Sequence, residues 1–180
     1  MTLPSRDKAR MKALVLPLAC VLLSAGPAWS QTVILARHAE KTDASAEAGL
    51  TPAGLERARA LAAALAGARL TRVLVSPAPR TRLTAEPAAR AAGLAPEAVS
   101  LDGGGAAHVQ RTVEAVRSAG PDDVVLVVGH SNTVSAFVAA LTGSPAVEML
   151  DCEHDRLTIL SLNAAGAAAV QARYGAPSAC

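Results

Sequence analysis

Between residues 32 and 163, apolar runs alternate with alanine-rich stretches of helical spacing, and this alternation constrains the fold most. The clearest run is Val124-Val125-Leu126-Val127-Val128. Strand and helix signals in alternation fold as a parallel sheet covered by helices. The runs predict strands over 32–37, 72–76, 97–101, 123–129 and 156–163. Thr51-Pro52 opens a helix in cap-then-proline fashion, and Leu55, Leu61 and Leu65 continue it at helical spacing as far as Gly67. Further helices are expected over 80–92, 106–119 and 132–142. Only Gly103-Gly104-Gly105 interrupts the pattern, and a length of 180 residues suits one domain.

The first 30 residues read differently. Arg6, Lys8, Arg10 and Lys12 flank or precede the apolar run ALVLPLACVLL, and the small residues Ala28 and Ser30 stand just ahead of Gln31. That is the layout of a secretory signal peptide over 1–30, followed by a domain over 31–180. The run from Ala13 to Leu23 is too short to span a bilayer. The expectation is cleavage before Gln31 and a periplasmic or secreted chain with no stable membrane span. Lipidation at Cys20 is the less favoured alternative, because that cysteine sits inside the apolar run. Cleavage removes four basic residues and Asp7, leaving 13 Lys+Arg against 14 Asp+Glu and a formal charge of −1. With that balance, one Phe and one Tyr, no basic aromatic surface for nucleic acid remains. Cys152 and Cys180 would survive cleavage; an oxidising compartment allows them to pair, and two free thiols are the other reading.

In open α/β sheets, ligands bind beyond the carboxyl ends of the strands, where helix N-termini converge. The first predicted strand ends in Arg37-His38, the second in Ser76-Pro77-Ala78-Pro79-Arg80, and the Val124 run in Gly129-His130-Ser131-Asn132. Two arginines and two histidines in one crevice make a dianion site. Guanidinium forks grip phosphate oxygens bidentately, and an imidazole can attack phosphorus, with no metal or cofactor required. A metal site built from His38, His130, His154 and nearby carboxylates is the weaker reading, since no His-x-x-x-His pair is present and two arginines would repel a cation. His108 and His154 read as hydrogen-bonded structural residues. Glu40 is as well explained by solvating the loop as by influencing His38. Glu148, Asp151, Glu153 and Asp155 read as a solvated acidic face. Arg82 lies about 200° from Arg80 on a helix and should point elsewhere.

The segments LARHAEK, LTPAGLERARAL, VSPAPRTRLTAEP and VVGHSNTV together resemble the histidine phosphatase superfamily, the phosphoglycerate mutase-like proteins, from about Val33 to Leu162. The resemblance implies a three-layer α/β/α sandwich with a mostly parallel central sheet. It implies His38 as a nucleophile that forms a phosphohistidine, with Arg37, Arg80 and His130 holding and polarising the phosphoryl group. The function it implies is that of an exported, metal-independent phosphomonoesterase acting on a small-molecule or peptide phosphomonoester. The alternatives are a non-catalytic module that binds phosphorylated ligands and, less favoured, a mutase-like phosphotransferase. Leu83 stands where many relatives carry Gln, and Ala39 replaces the glycine common after the histidine. Superfamily members differ in where they place the general acid; Asp102, at the end of the third strand, is the candidate, against the reading that it merely caps the next helix. Two imidazoles with reference values near ~6.5 predict a bell-shaped pH profile in the acidic to neutral range.

Overall fold

A computed structural model describes residues 30–180, so the signal-peptide reading and Cys20 lie outside the described residues. Six strands and four helices alternate for most of the chain. The strands are β1 (Gln31–Arg37), β2 (Arg72–Val75), β3 (Glu97–Ala98), β4 (Val124–Gly129), β5 (Arg156–Asn163) and β6 (Gly166–Arg173). The helices are α1 (Pro52–Ala64), α2 (Pro79–Ala91), α3 (Gly104–Arg117) and α4 (Ser131–Thr142). They build one sheet in the order β3-β2-β4-β1-β5-β6. The first four of these strands are parallel, and β5 and β6 run antiparallel to their neighbours.

Alternation along the central strands explains the layering. Ile34 and Ala36 of β1, Val73 and Val75 of β2, and Leu126 and Val128 of β4 face one core, shared with Leu61 and Leu65 of the α1 segment and Ala85, Ala88 and Ala89 of α2. The intervening Val33, Leu35, Leu74, Val125 and Val127 face a second core with Val113 and Val116 of α3 and Val134 and Phe137 of α4. Strands buried on both faces have no polar side to show, which is why β1 and β4 read as unbroken apolar runs. Three layers, α/β/α, result.

The α1 start follows its sequence signals. Thr51 Oγ1 accepts from the Gly54 N–H at 3.0 Å, with Pro52 in the first turn. Gly54 packs its backbone onto the Glu40 carbonyl so closely that a Cβ there would clash. Three details depart from the sequence reading. The third strand is short, pairing only over Glu97–Ala98. The fifth pairs antiparallel to β1, from Gln31 opposite Leu162 to Ala36 opposite Leu157. The sixth had no sequence signal and forms a hairpin with β5 across an Asn163–Gly166 turn, in which Asn163 Oδ1 accepts from the Ala165 N–H. No helix of the described residues is long and apolar enough to cross a membrane.

Candidate active site

The parallel strands β2, β4 and β1 end side by side, and their last residues set the site. The His38 N–H donates to the Gly129 carbonyl at 2.9 Å, so the two histidine-bearing strand ends stay in register one step past the sheet. α2 starts at Pro79 and α4 at Ser131, which directs the N-termini of both helices at the same crevice. The unpaired N–H groups and dipoles at such ends favour an anion.

His38 is almost fully buried, and its Nδ1 lies 2.8 Å from the Ala39 carbonyl. A carbonyl can only accept, so Nδ1 carries the proton and the lone pair of the neutral ring sits on Nε2. The His130 ring stands 5.3 Å from that of His38, edge to face. A chain of hydroxyls orients it. Thr81 Oγ1 gives its proton to the main chain of Ser76 and Ala78, the Ser76 hydroxyl is 3.0 Å from Thr81 Oγ1, and His130 Nε2 is 2.9 Å from Ser76 Oγ. With one proton per hydroxyl, Ser76 donates to Thr81 and accepts from His130 Nε2–H.

Arg37 is buried in the strand end; its NH1 donates to the Leu150 carbonyl at 2.9 Å and its NH2 to Asp151 Oδ1 at 3.3 Å. Arg80 donates from NH1 to the Ala46 carbonyl at 2.8 Å. In both arginines Nε is buried and has no hydrogen-bond partner among the described residues. Two desolvated N–H donors left without an acceptor are costly unless a ligand supplies one. Burial is the main cause that pushes the His38 imidazole down from its usual value to about 3, opposed by the Ala39 carbonyl bond and reinforced by His130, Arg37 and Arg80. Burial likewise pushes His130 down to about 4, with the Arg80 charge next in weight. Both rings are therefore neutral at pH 7, and the bell-shaped profile expected from reference values shifts to lower pH.

Supporting residues close the framework. Thr84 Oγ1 accepts from the Ala39 N–H at 2.9 Å and donates to the Arg80 carbonyl at 2.7 Å, tying α2 to the loop after His38. Ala39 and Leu83, the two positions that differ from the common motif, share one small apolar cluster with Leu50 and Ala58. Arg82 points away, toward Glu86.

The structure brings His38, Arg37, Arg80 and His130 together, and among the described residues no hydrogen bond or ion pair joins Asp102 to them. Asp102 is exposed in the turn before α3, where its carbonyl accepts from Arg111 and its N–H donates to Ser100 Oγ. The residues before β5 come to the pocket instead. His154 Nδ1 lies 2.9 Å from the His38 carbonyl, and its ring centroid is 5.8 Å from that of His38. Glu153 and Asp155 are buried rather than solvated, paired with Arg156 and Arg173. Glu40 binds Arg57, a buried arginine that also donates to the Tyr174 and Ala176 carbonyls. Cys152 and Cys180 form a disulfide that ties this loop to the C-terminal segment. No spacing pattern announces His154; its place follows from the antiparallel β5, whose start lies beside the end of β1. Among the described residues no cluster of three or more His, Cys, Asp or Glu is arranged to hold a metal ion.

Comparison with known proteins places these features. The family model described as histidine phosphatase superfamily (branch 1) matches residues 33–101. The protein histidine phosphatase SixA complexed with tungstate superposes with a TM-score of 0.61 at 22% identity, over 79% of this chain and 96% of its own. A Nakamurella multipartitia protein assigned as the phosphohistidine phosphatase SixA gives a TM-score of 0.56 at 27% identity, over 86% of this chain and 100% of its own. A mycobacterial glucosyl-3-phosphoglycerate phosphatase gives 0.60 at 16% identity, over 82% and 99%. No curated protein sequence matches the chain significantly.

Proposed function

We propose, from the match of residues 33–101 to the histidine phosphatase superfamily model and from the geometry of the site, that the chain is a phosphomonoesterase that works through a phosphohistidine on His38 and needs no metal. One observation carries the reading: the buried, unpartnered Nε donors of Arg37 and Arg80 beside an imidazole whose Nδ1 is tied to Ala39 and whose Nε2 is free to attack. Such a pair offers acceptor-seeking N–H groups to phosphoryl oxygens, and charge-assisted bonds in a water-poor pocket favour the phosphoryl group as charge spreads over it. His38 is already neutral, as a nucleophile must be. A bound dianion favours protonation of His130, which then shares the phosphoryl charge.

The substrate class is a small-molecule or peptide phosphomonoester. The solved relatives include proteins named for phosphohistidine and for glucosyl-3-phosphoglycerate, which marks how widely leaving groups vary on this fold. Export to the periplasm or beyond is part of the proposal; the basic and apolar segments of residues 1–30 and the Cys152–Cys180 disulfide support it, since disulfides persist in oxidising compartments.

The test is hydrolysis of an aryl phosphate in excess chelator, followed by a rapid quench with labelled substrate. Turnover with acid-labile label on His38 is the expected result. Activity that vanishes with chelator and returns with zinc or magnesium would refute the metal-free mechanism, and retained phosphate affinity without any turnover would favour a binding module.

A further inference from the structure

The loop before β5 brings a third imidazole to the pocket, and the mechanism above gives it no role. The Nδ1 of His154 contacts the His38 carbonyl at 2.9 Å, so that nitrogen carries a proton and Nε2 of the neutral ring holds a lone pair. Nε2 makes no hydrogen bond among the described residues. The ring is only half-buried, and its plane is inclined 50° to that of His38, with centroids 5.8 Å apart. Its backbone is fixed: the His154 N–H donates to Ser178 Oγ at 2.8 Å, and Cys152, two residues earlier, is bonded to Cys180. A titratable nitrogen without a partner is thereby held beside the nucleophile, where Asp102 supplies nothing.

We infer that His154 is the proton carrier of the reaction, giving the proton on Nε2 to the departing oxygen and later taking one back from water. The inference rests on the phosphatase reading. In the first half, the His38 Nε2 lone pair forms the N–P bond, the P–O bond to the alcohol breaks, and the leaving oxygen takes the Nε2 proton of the His154 imidazolium. In the second, a water oxygen bonds to phosphorus, the N–P pair returns to His38, and the water proton goes to the neutral His154 Nε2. Inorganic phosphate leaves and both rings regain their starting states. The charged and titratable groups around His154 are Arg37 from β1, His38 and Glu40 from the following loop, Arg57 from α1, and Asp151, Glu153 and Asp155 from its own loop. Burial holds its imidazole below the usual value, the His38 carbonyl bond opposes that, and Arg37 and Arg57 act against Glu40. The arriving dianion adds negative charge and favours the imidazolium when it is needed.

The experiment compares wild type with His154→Asn on para-nitrophenyl phosphate, whose phenolate leaves without a proton, and on glycerol phosphate, whose alkoxide requires one. Asn keeps an N–H for the His38 carbonyl and cannot exchange a proton. The aryl-to-alkyl ratio of kcat/KM should rise roughly 10²-fold or more, the usual worth of a positioned acid. The alkaline limb of the wild-type profile on glycerol phosphate should disappear in the variant, and labelled phosphate should accumulate on His38 because the attacking water has lost its base. Equal losses on both substrates with an unchanged pH profile, or no loss, would overturn the role. If the Asn variant fails to fold, His154→Gln is judged by the same ratio. Failure of wild type to hydrolyse either ester, or turnover by His38→Ala, would remove the phosphatase premise and the inference with it.

Discussion

The two halves of the sheet hold their parts of the pocket by different means. In the parallel half, β2, β4 and β1 are buried between helices, and Arg37, His38, Arg80 and His130 project from strand ends or helix starts that apolar packing fixes. In the antiparallel half, β6 is exposed along all eight residues, and the loop that carries Asp151 and His154 is held by polar bonds and a covalent link. Ser178 Oγ serves the N–H groups of His154 and Asp155 and the Asp155 carboxylate, while Arg57 reaches the Tyr174 and Ala176 carbonyls. The proposed grip on phosphate thus belongs to the part of the chain that folds by burial. Whatever tunes the leaving group belongs to the part that is strapped on.

The comparison breaks most decisively at His38. Replacing it with Ala should lower kcat/KM by roughly 10⁴-fold or more while leaving the melting temperature close to wild type, as loss of a nucleophile does; a mild loss would move the nucleophile elsewhere. In the strapped half the largest effect should fall on stability. Cys152→Ser opens a link spanning 28 residues of sequence, worth on the order of 3 to 4 kcal/mol by loop-closure entropy, and should lower the urea midpoint accordingly. If the midpoint stays put, the polar bonds of Ser178 and Arg57 hold the loop unaided. Arg80→Lys should cost on the order of 2 to 4 kcal/mol in transition-state stabilisation, because a point charge cannot replace the guanidinium fork, with little change in stability.

The pH dependence separates the halves more finely. His38 and His130 sit below their unfolded values, so the unfolded chain binds more protons between the folded and unfolded pKa values, and stability should fall as pH drops from about 6.5 toward 4. Urea titrations at several pH values would show it, with a smaller slope in His130→Ala. Once corrected for substrate ionisation, kcat/KM on an aryl phosphate should hold down to about pH 4 and decline toward 3 as His38 protonates. Arg82→Lys should be nearly silent, since the one ion pair of that half-exposed side chain among the described residues is with Glu86. A large loss there would mean that Arg82, not Arg80, meets the phosphate.

The sequence was most legible where packing is two-sided. Val33 to Ala36, Val73 to Val75 and Val124 to Val128 name their strands because a strand covered on both faces has only apolar positions. β6 left no such mark: half of Gly166–Arg173 is alanine, and it is a strand because β5 offers it a ladder, not because its residues prefer one. The same blind spot hid the loop before β5. Read as another parallel strand, β5 would turn its end toward the rim and leave Glu153, His154 and Asp155 at the far side as solvated polar residues. Its reversal places them at His38 and buries the two carboxylates against Arg156 and Arg173. Asp102 misled for a related reason. The third strand pairs for only two residues, so its end makes a turn stabilised by Arg111 rather than a wall of the pocket.

The Ser178 and Cys180 strap has a consequence in time. Synthesis proceeds from the N-terminus, so His38 is among the first residues of the domain to be made, and the groups that pin the loop beside it come after every strand of the sheet. A chain made as far as residue 173 contains every strand of the sheet together with Arg37, His38, Arg80 and His130, yet His154 lacks its anchor. On the mechanism proposed above, such a chain would grip phosphate before it could carry a proton, and turnover would await the pairing of Ser178 and Cys180 with the loop beside β1.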